Sequence, residues 1–186
     1  MGTRNKSLLI LLYYCVCISS IGCKKDSNDD VPAAVLKPGQ DYQGGIIFSI
    51  DPGGEHGLIA ASEDQSINAP WWNGSFISTG ANSATNGSSN TTLIINAQGT
   101  TGAYAAKICR DYRGGQYTDW FLPSKDQLNM LYIQKTMIGG FSGDLYWSST
   151  EFETGSAWVQ MFQDGHQHVD NTSDGANVHT RAIRAF

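Results

Sequence analysis

The sequence predicts an α+β domain over residues 41–186. Short β-branched or alternating apolar runs lie near both ends of this region, and two segments with helical periodicity lie between them. The 21 glycines, together with many Asn, Ser and Thr residues, favour long loops over a helical bundle. We therefore expect two helices, a small antiparallel sheet and long loops, with the N- and C-terminal strands paired.

The first strands should form a hairpin. Residues 44–50 (GGIIFSI) are rich in β-branched and aromatic side chains, residues 51–57 carry turn chemistry, and residues 58–62 read as the returning strand. Residues 64–99 are polar and aperiodic apart from a short apolar run at 93–95. This pattern predicts a long loop, of a kind that is uncommon in compact domains unless it is functional or partly disordered.

Two helices should follow this loop. In residues 101–112, apolar side chains recur on one helical face that includes Ile108 and Cys109. A second helix should begin after Pro123 and run to about residue 135. Ser124 as N-cap, with Gln127 three residues later, forms the capping-box pattern that starts a helix.

The last part of the domain should return to strands. Residues 146–150 and 157–162 alternate or are β-branched, and Asp164 followed by Gly165 predicts a tight turn before a returning strand. The closing residues 179–186 (HTRAIRAF) alternate and predict a terminal strand.

The N-terminus has the layout of a secretory signal. Arg4 and Lys6 precede the apolar run 8–18, and small residues lead to Cys23. A membrane span is the alternative, but eleven apolar residues in a helix reach only about 16 Å. A hydrocarbon core is about 30 Å thick. We therefore assign residues 1–22 to a signal peptide.

The ending S-I-G-C at residues 20–23 resembles the lipobox of bacterial lipoproteins, although Ser20 stands where that motif usually has Leu. The resemblance implies acylation of Cys23 and attachment to a membrane through an N-terminal lipid; the alternative is ordinary cleavage and release. Residues 23–40 then predict an acidic, flexible tether. Its early aspartates resemble the surface-export signals of Bacteroidota lipoproteins, which implies an outer-membrane, surface-exposed location.

Charge and cysteine content narrow the possible functions. The formal charge of −5, without a basic block, argues against nucleic acid as a partner. Cys15 and Cys17 lie in the signal and Cys23 is the lipidation site, so Cys109 alone remains and no internal disulfide can form. We expect Cys109 to be a buried small hydrophobe rather than a nucleophile.

Two patterns suggest chemistry but have simpler interpretations. His166 and His168 share one face of a strand and, with Asp164 and Asp170, could bind a metal; the alternative is a hydrated hairpin turn. Glu151 could pair with a second carboxylate, Asp164 or Asp174, for glycoside hydrolysis, although carboxylates are common on surfaces. The sequence carries no phosphate-binding loop, dinucleotide fingerprint or nucleophile-elbow motif. We therefore expect no cofactor, no metal and no catalysis.

The tryptophans divide by their surroundings. Trp120, Phe121, Trp147 and Trp158 lie in apolar blocks, and we expect them to pack in the core. Trp71 and Trp72 lie in the polar loop instead. They are candidate ligand-binding residues as a stacking platform, or else they plug the loop onto the core, and the sequence leaves both interpretations open.

Several blocks together carry a family resemblance. YQGGIIFSIDPGGEHGLIAA, YAAKIC, DWFLPSKDQLNMLY, YWSSTE, AWVQMFQDG and RAIRAF occur in this order. They resemble the Lcl C-terminal domain family, named for a collagen-like adhesin, over essentially all of residues 41–186. The resemblance implies a C-type-lectin-like fold and a role in binding or adhesion to glycans or surface proteins. A structural or accessory envelope lipoprotein is the alternative. The calcium-binding lectin motifs EPN or QPD with WND are absent, so we expect binding without calcium.

Overall fold

Two four-stranded sheets and four α-helices make up the part of the chain that the computed structural model describes, residues 35–186. The predicted signal peptide, Cys23 and most of the tether lie outside the described residues. The presence of both helices and sheets confirms the α+β class. In the first sheet the strand order is β1-β2-β3-β8, with β1 at Asp41–Tyr42, β2 at Gly45–Ile50, β3 at Gly57–Ala60 and β8 at Ile183–Ala185.

The first sheet contains the predicted hairpin and joins it to the C-terminal strand. Strands β2 and β3 run antiparallel, with Ile46 opposite Ala60. The C-terminal strand β8 pairs antiparallel with β3, the second strand of this hairpin. A tight turn at Gly44, whose φ is +88°, folds the additional strand β1 back onto the outer edge of β2. This leaves the edge of β3 for the C-terminus.

The second sheet contains the remaining strands in the order β6-β5-β4-β7. These are β4 at Leu145–Glu153, β5 at Ser156–Met161, β6 at Gln167–Asn171 and β7 at Val178–His179. Strands β4, β5 and β6 form an antiparallel meander, and β7 runs parallel to β4. The segment 179–186, expected as one strand, is therefore divided between the two sheets. Arg181 lies between its two parts and is 1% exposed.

Helix α1, at Gly87–Gln98, lies inside the segment 64–99 that was predicted to be a loop. The sequence signal was weak because Gly, Ser, Asn and Thr are poor helix formers. The face that α1 buries is also largely polar, with Asn90 and Thr91 against the core. Asn86 caps the helix by accepting a hydrogen bond from the Ser89 N–H at 3.0 Å.

The other helices are α2 at Ala105–Asp111, α3 at Lys125–Ile133 and α4 at Lys135–Ile138. Helix α2 begins four residues later than the predicted 101, because Tyr104 is extended and acts as its N-cap. The capping box of α3 is confirmed, since the Ser124 hydroxyl and the Gln127 side chain each accept the other residue's backbone N–H. The expectation of only two helices was therefore wrong.

The core consists of two clusters of buried side chains. Trp71, Trp120 and Trp147 belong to the first, whereas Tyr146 and Phe162 belong to the second. Among the described residues, no helix is both long and apolar enough to cross a membrane.

Cys109 is fully buried in the first cluster, as the sequence predicted, and its thiol is free within the described residues. Removal from water disfavours the thiolate, which raises the pKa of the Cys109 thiol well above its usual value. Cys109 therefore contributes packing volume rather than a reactive sulfur.

Candidate functional site

Trp71 and Trp72 occupy different environments. Trp71 is 1% exposed, and its indole N–H donates a hydrogen bond to the Ser148 carbonyl at 2.8 Å. Both ring faces are thus inside the protein, and Trp71 plugs the loop onto the core instead of offering a platform to a ligand. Trp72 is half-buried and packs edge-on against Phe76, with 6.4 Å between the ring centroids.

Exposed aromatic side chains gather at the end of the β4–β5 hairpin. Phe76 is 70% exposed and lies on Gly155 in the hairpin turn, where an added Cβ would come within 2.3 Å of the ring. Phe152, on β4, is 57% exposed. Its ring meets Trp158 of β5 edge-on, with 5.9 Å between centroids. The contacts thus define two aromatic pairs, Trp72 with Phe76 and Phe152 with Trp158, and we call these four residues the hairpin-end surface.

Trp158 was expected in the core and is half-buried instead. Its neighbours on β5, Ala157 and Val159, point into the core, so strand alternation turns Trp158 outward. The Lys125 ammonium lies 3.4 Å from the centroid of its ring, a cation–π contact. The other three residues predicted in the core, Trp120, Phe121 and Trp147, are buried as expected.

Glu151 anchors the polar loop to β4. Its carboxylate accepts hydrogen bonds from the backbone N–H of Thr79 at 3.0 Å, from that of Gly80 at 2.9 Å and from the Thr79 hydroxyl at 3.0 Å. The glycosidase hypothesis paired this carboxylate with Asp164 or Asp174. Those two aspartates instead accept hydrogen bonds from backbone N–H groups in their own turns. The geometry therefore gives Glu151 a structural task.

Among residues 35–186, His166 and His168 have no third side chain placed to complete a metal site. The two imidazole rings stack with 5.6 Å between centroids. Asp164 accepts a hydrogen bond from the His166 N–H at 2.9 Å, which closes the turn. Residues 35–186 contain no group of three or more His, Cys, Asp or Glu side chains arranged to hold a metal ion. The described geometry fits the alternative interpretation, a polar hairpin turn.

A second polar cluster lies between the two sheets and was missed by the sequence analysis. Asp64 accepts hydrogen bonds from the Tyr146 hydroxyl at 2.8 Å and from Arg181 Nε at 2.6 Å, and lies 2.7 Å from His179 Nδ1. Burial raises the pKa of Tyr146 to about 12. No local motif signals this cluster, because its members come from three separate segments of the chain.

Ser142 connects this cluster to a surface cavity of about 390 Å³. Its hydroxyl lies 3.4 Å from His179 Nε2, and its backbone N–H donates to the Tyr146 hydroxyl at 3.0 Å. Gly140, Phe141, Gly143 and Phe162 also line the cavity. A serine at a cavity wall is thus backed by a buried histidine.

Comparison of the chain with protein-family models and with curated proteins found no match to either.

Proposed function

We propose that the protein is a cell-envelope lipoprotein of the outer membrane, surface-exposed, whose domain binds glycans at the hairpin-end surface. The observation that supports binding is the exposure of two phenylalanines, Phe76 and Phe152, beside two half-buried tryptophans. Within each of the two pairs the rings are in contact, and contiguous apolar side chains on a folded surface commonly mark an interaction site.

The size and surroundings of the hairpin-end surface favour a sugar over a protein partner. A fully buried aromatic side chain covers about 150–250 Å², so four partly exposed rings offer at most a few hundred. A stable protein interface needs roughly 800 Å² on each partner. Small polar residues surround Phe76 in the loop, among them Asn73, Ser75 and Ser78. The rings can stack on the apolar face of a sugar, and the neighbouring amides and hydroxyls can hydrogen-bond to its hydroxyl groups. This combination suits an amphipathic ligand.

The sequence resemblance to the Lcl C-terminal domain family supports the same proposal. It implies a C-type-lectin-like arrangement within the α+β class, and a domain used for attachment. Stacking on aromatic rings requires no bridging cation. We therefore propose that the binding is independent of calcium.

The anchor is the second part of the proposal and rests on the first 23 residues. If Cys23 carries the lipid, the wild-type protein should partition into the detergent phase after phase separation. Cys23→Ala should remain unprocessed or be released, because the acylated residue is missing. A wild-type protein that stays in the aqueous phase would show that the chain is cleaved and released.

Glycan binding is tested by applying residues 31–186 to a glycan array, since both core clusters lie within residues 35–186. The proposal expects a defined subset of glycans to be bound, and the signals to survive a calcium chelator. An array without signal would favour the alternative, an accessory envelope lipoprotein without a sugar ligand.

A further inference from the structure

Ser142, His179 and Asp64 lie in the order of a nucleophile, a base and an orienting carboxylate. The Ser142 hydroxyl is 3.4 Å from His179 Nε2, and His179 Nδ1 is 2.7 Å from Asp64 Oδ2. These contacts use opposite nitrogens of one imidazole, as nucleophile activation requires. The serine–histidine distance is at the long end for a hydrogen bond, which is common for such pairs before a substrate binds.

The surroundings of Asp64 fix the tautomer of His179. Arg181, whose side chain is fully buried, donates through Nε to Asp64 Oδ1 at 2.6 Å, and the Tyr146 hydroxyl donates to Oδ2. Asp64 therefore acts as an acceptor on both oxygens, and Oδ2 is placed to accept a hydrogen bond from His179 Nδ1–H as well. This leaves Nε2 with a lone pair that faces Ser142.

Asp144 is a further polar group at this site. Its Oδ2 lies 3.4 Å from His179 Nε2, and its backbone N–H donates to the Ser142 hydroxyl oxygen at 3.1 Å. While Nε2 is unprotonated, it offers the Asp144 carboxylate neither a hydrogen-bond donor nor a positive charge. Once Nε2 takes a proton, the carboxylate stabilises the imidazolium by charge. Asp144 thus favours the protonated base that a nucleophilic attack creates.

The cavity supplies space and candidate donors beside Ser142. Within the described residues, the loop N–H groups of Phe141 and Gly143 donate no hydrogen bond to another protein group. The N–H of the residue after a nucleophilic serine is a common oxyanion donor, and Gly143 holds that position. Phe141 and Phe162 give the same cavity an apolar wall.

We propose that Ser142, His179 and Asp64 form an acyl-transfer site that hydrolyses short-chain carboxylic esters. The Ser142 oxygen attacks the ester carbonyl carbon while its proton moves to His179 Nε2. The bond between that carbon and the alcohol oxygen then breaks, the alcohol leaves with the proton from Nε2, and an acyl-Ser142 ester remains. Water attacks the acyl carbon, gives one proton to Nε2 and releases the acid, and Nε2 returns the proton to Ser142. The net reaction consumes one water per ester.

The substrate class follows from the size of the cavity. A volume of about 390 Å³ is near the lower end for small-molecule sites, which suits an acyl group of a few carbons. This site does not involve the hairpin-end surface, so the activity can fail without affecting the proposed glycan binding. The reverse is also true.

The test uses the full chain, purified in detergent, with a fluorophosphonate probe and p-nitrophenyl acetate. The probe should label native wild type at Ser142, located by peptide mass spectrometry, about a hundredfold faster than the urea-unfolded chain, because only the folded protein holds the base in place. Ser142→Ala should lose both the label and acetate release. Ser88→Ala removes an exposed hydroxyl elsewhere and should change neither.

His179→Gln adds a second readout, since it keeps a polar side chain but removes the base. It should slow labelling of Ser142 by a similar factor and keep the near-ultraviolet circular dichroism of the folded protein. If the variant unfolds, the ratio of labelling rates between native and unfolded wild type decides alone. Native labelling no faster than that of the unfolded chain would overturn the proposal. Labelling at another serine, or acetate release that persists in Ser142→Ala, would also overturn it.

Discussion

Trp71 and Trp72 are adjacent in a polar loop, and their local sequence does not distinguish them. The difference arises from a distant partner, because the Ser148 carbonyl that accepts the Trp71 indole N–H is 77 positions away in the chain. A buried indole with a satisfied N–H stabilises the fold through both packing and its hydrogen bond. Trp72 stays half-buried and packs against an exposed ring.

We expect Trp71→Ala to lower the free energy of unfolding by about 3–5 kcal/mol, as truncation of a buried aromatic does. Trp72→Ala should cost clearly less, since part of its ring already contacts water. Equilibrium urea unfolding of both variants and the wild type measures the two values. Equal losses, or a larger loss for Trp72→Ala, would contradict the assignment of Trp71 as the plug.

At the scale of elements, one buried carboxylate contributes strongly to holding the loop before α1 on β4. Glu151 is 6% exposed, and its charge-assisted hydrogen bonds come from Ser78, Thr79 and Gly80. These bonds are stronger than those between neutral groups. They also position the segment that begins just after Phe76, so the hairpin-end surface depends on them.

Replacing Glu151 with Gln should weaken this attachment, since the amide keeps one acceptor oxygen but loses the charge. We expect a loss of about 2 kcal/mol in the free energy of unfolding. Hydrogen exchange at the Thr79 and Gly80 amides should become faster. Glu153→Gln is the matched control, because Glu153 is exposed at the end of the same strand. Unchanged exchange at residues 79–80 in Glu151→Gln would refute the anchoring role.

The sequence predicted those elements whose signals are local. The hairpin of β2 and β3 and the capping box of α3 depend on neighbouring residues, and both are confirmed. Helix α1 was missed because the face that it buries is polar. Thr91 on that face accepts a hydrogen bond from the Leu122 N–H, so the sequence shows no helical repeat of apolar residues. The hydrogen-bond partner of Thr91 is 31 positions away in the chain, so the residues near Thr91 give no sign that its side chain is buried.

For the whole molecule, the sequence predicted the α+β class, but neither the strand order of the two sheets nor which distant residues come together. Phe76 and Gly155 meet only in the folded protein, as do Asp64 and His179, which are 115 positions apart. Phe152 is exposed because it lies with Glu153 at the end of β4, after six consecutive buried residues, and no alternation signals this in the sequence. The polar cluster around Asp64 had no local signal either.

The whole fold should lose stability at alkaline pH. Burial raises the pKa of Cys109, and it raises those of Tyr104 and Tyr146 to about 12, above reference values of 9.0 for the thiol and 10.0 for the phenols. Between these reference values and the folded values, the folded state holds protons that the unfolded state has released. Their contribution is therefore fully present below pH 9 and is lost as the pH rises.

Urea midpoints at pH 7, 8, 9.5 and 10.5 should decrease above pH 9. Cys109→Ala should show a smaller decrease between pH 8 and 9.5, because the variant has no thiol to ionise. The decrease above pH 10 should remain, since both tyrosines are unchanged. A midpoint that is constant from pH 7 to 10.5 in the wild type would contradict the burial of these groups.

Glycan binding at the hairpin-end surface is tested most directly by removing its two most exposed rings. Phe76→Ala combined with Phe152→Ala should abolish the array signals of residues 31–186 and leave the urea midpoint nearly unchanged, because both side chains are more exposed than buried. Ile133→Ala, which removes a 65% exposed side chain at the end of α3, should keep full binding. If the double variant binds glycans as strongly as the wild type does, the proposal that the hairpin-end surface binds them is wrong.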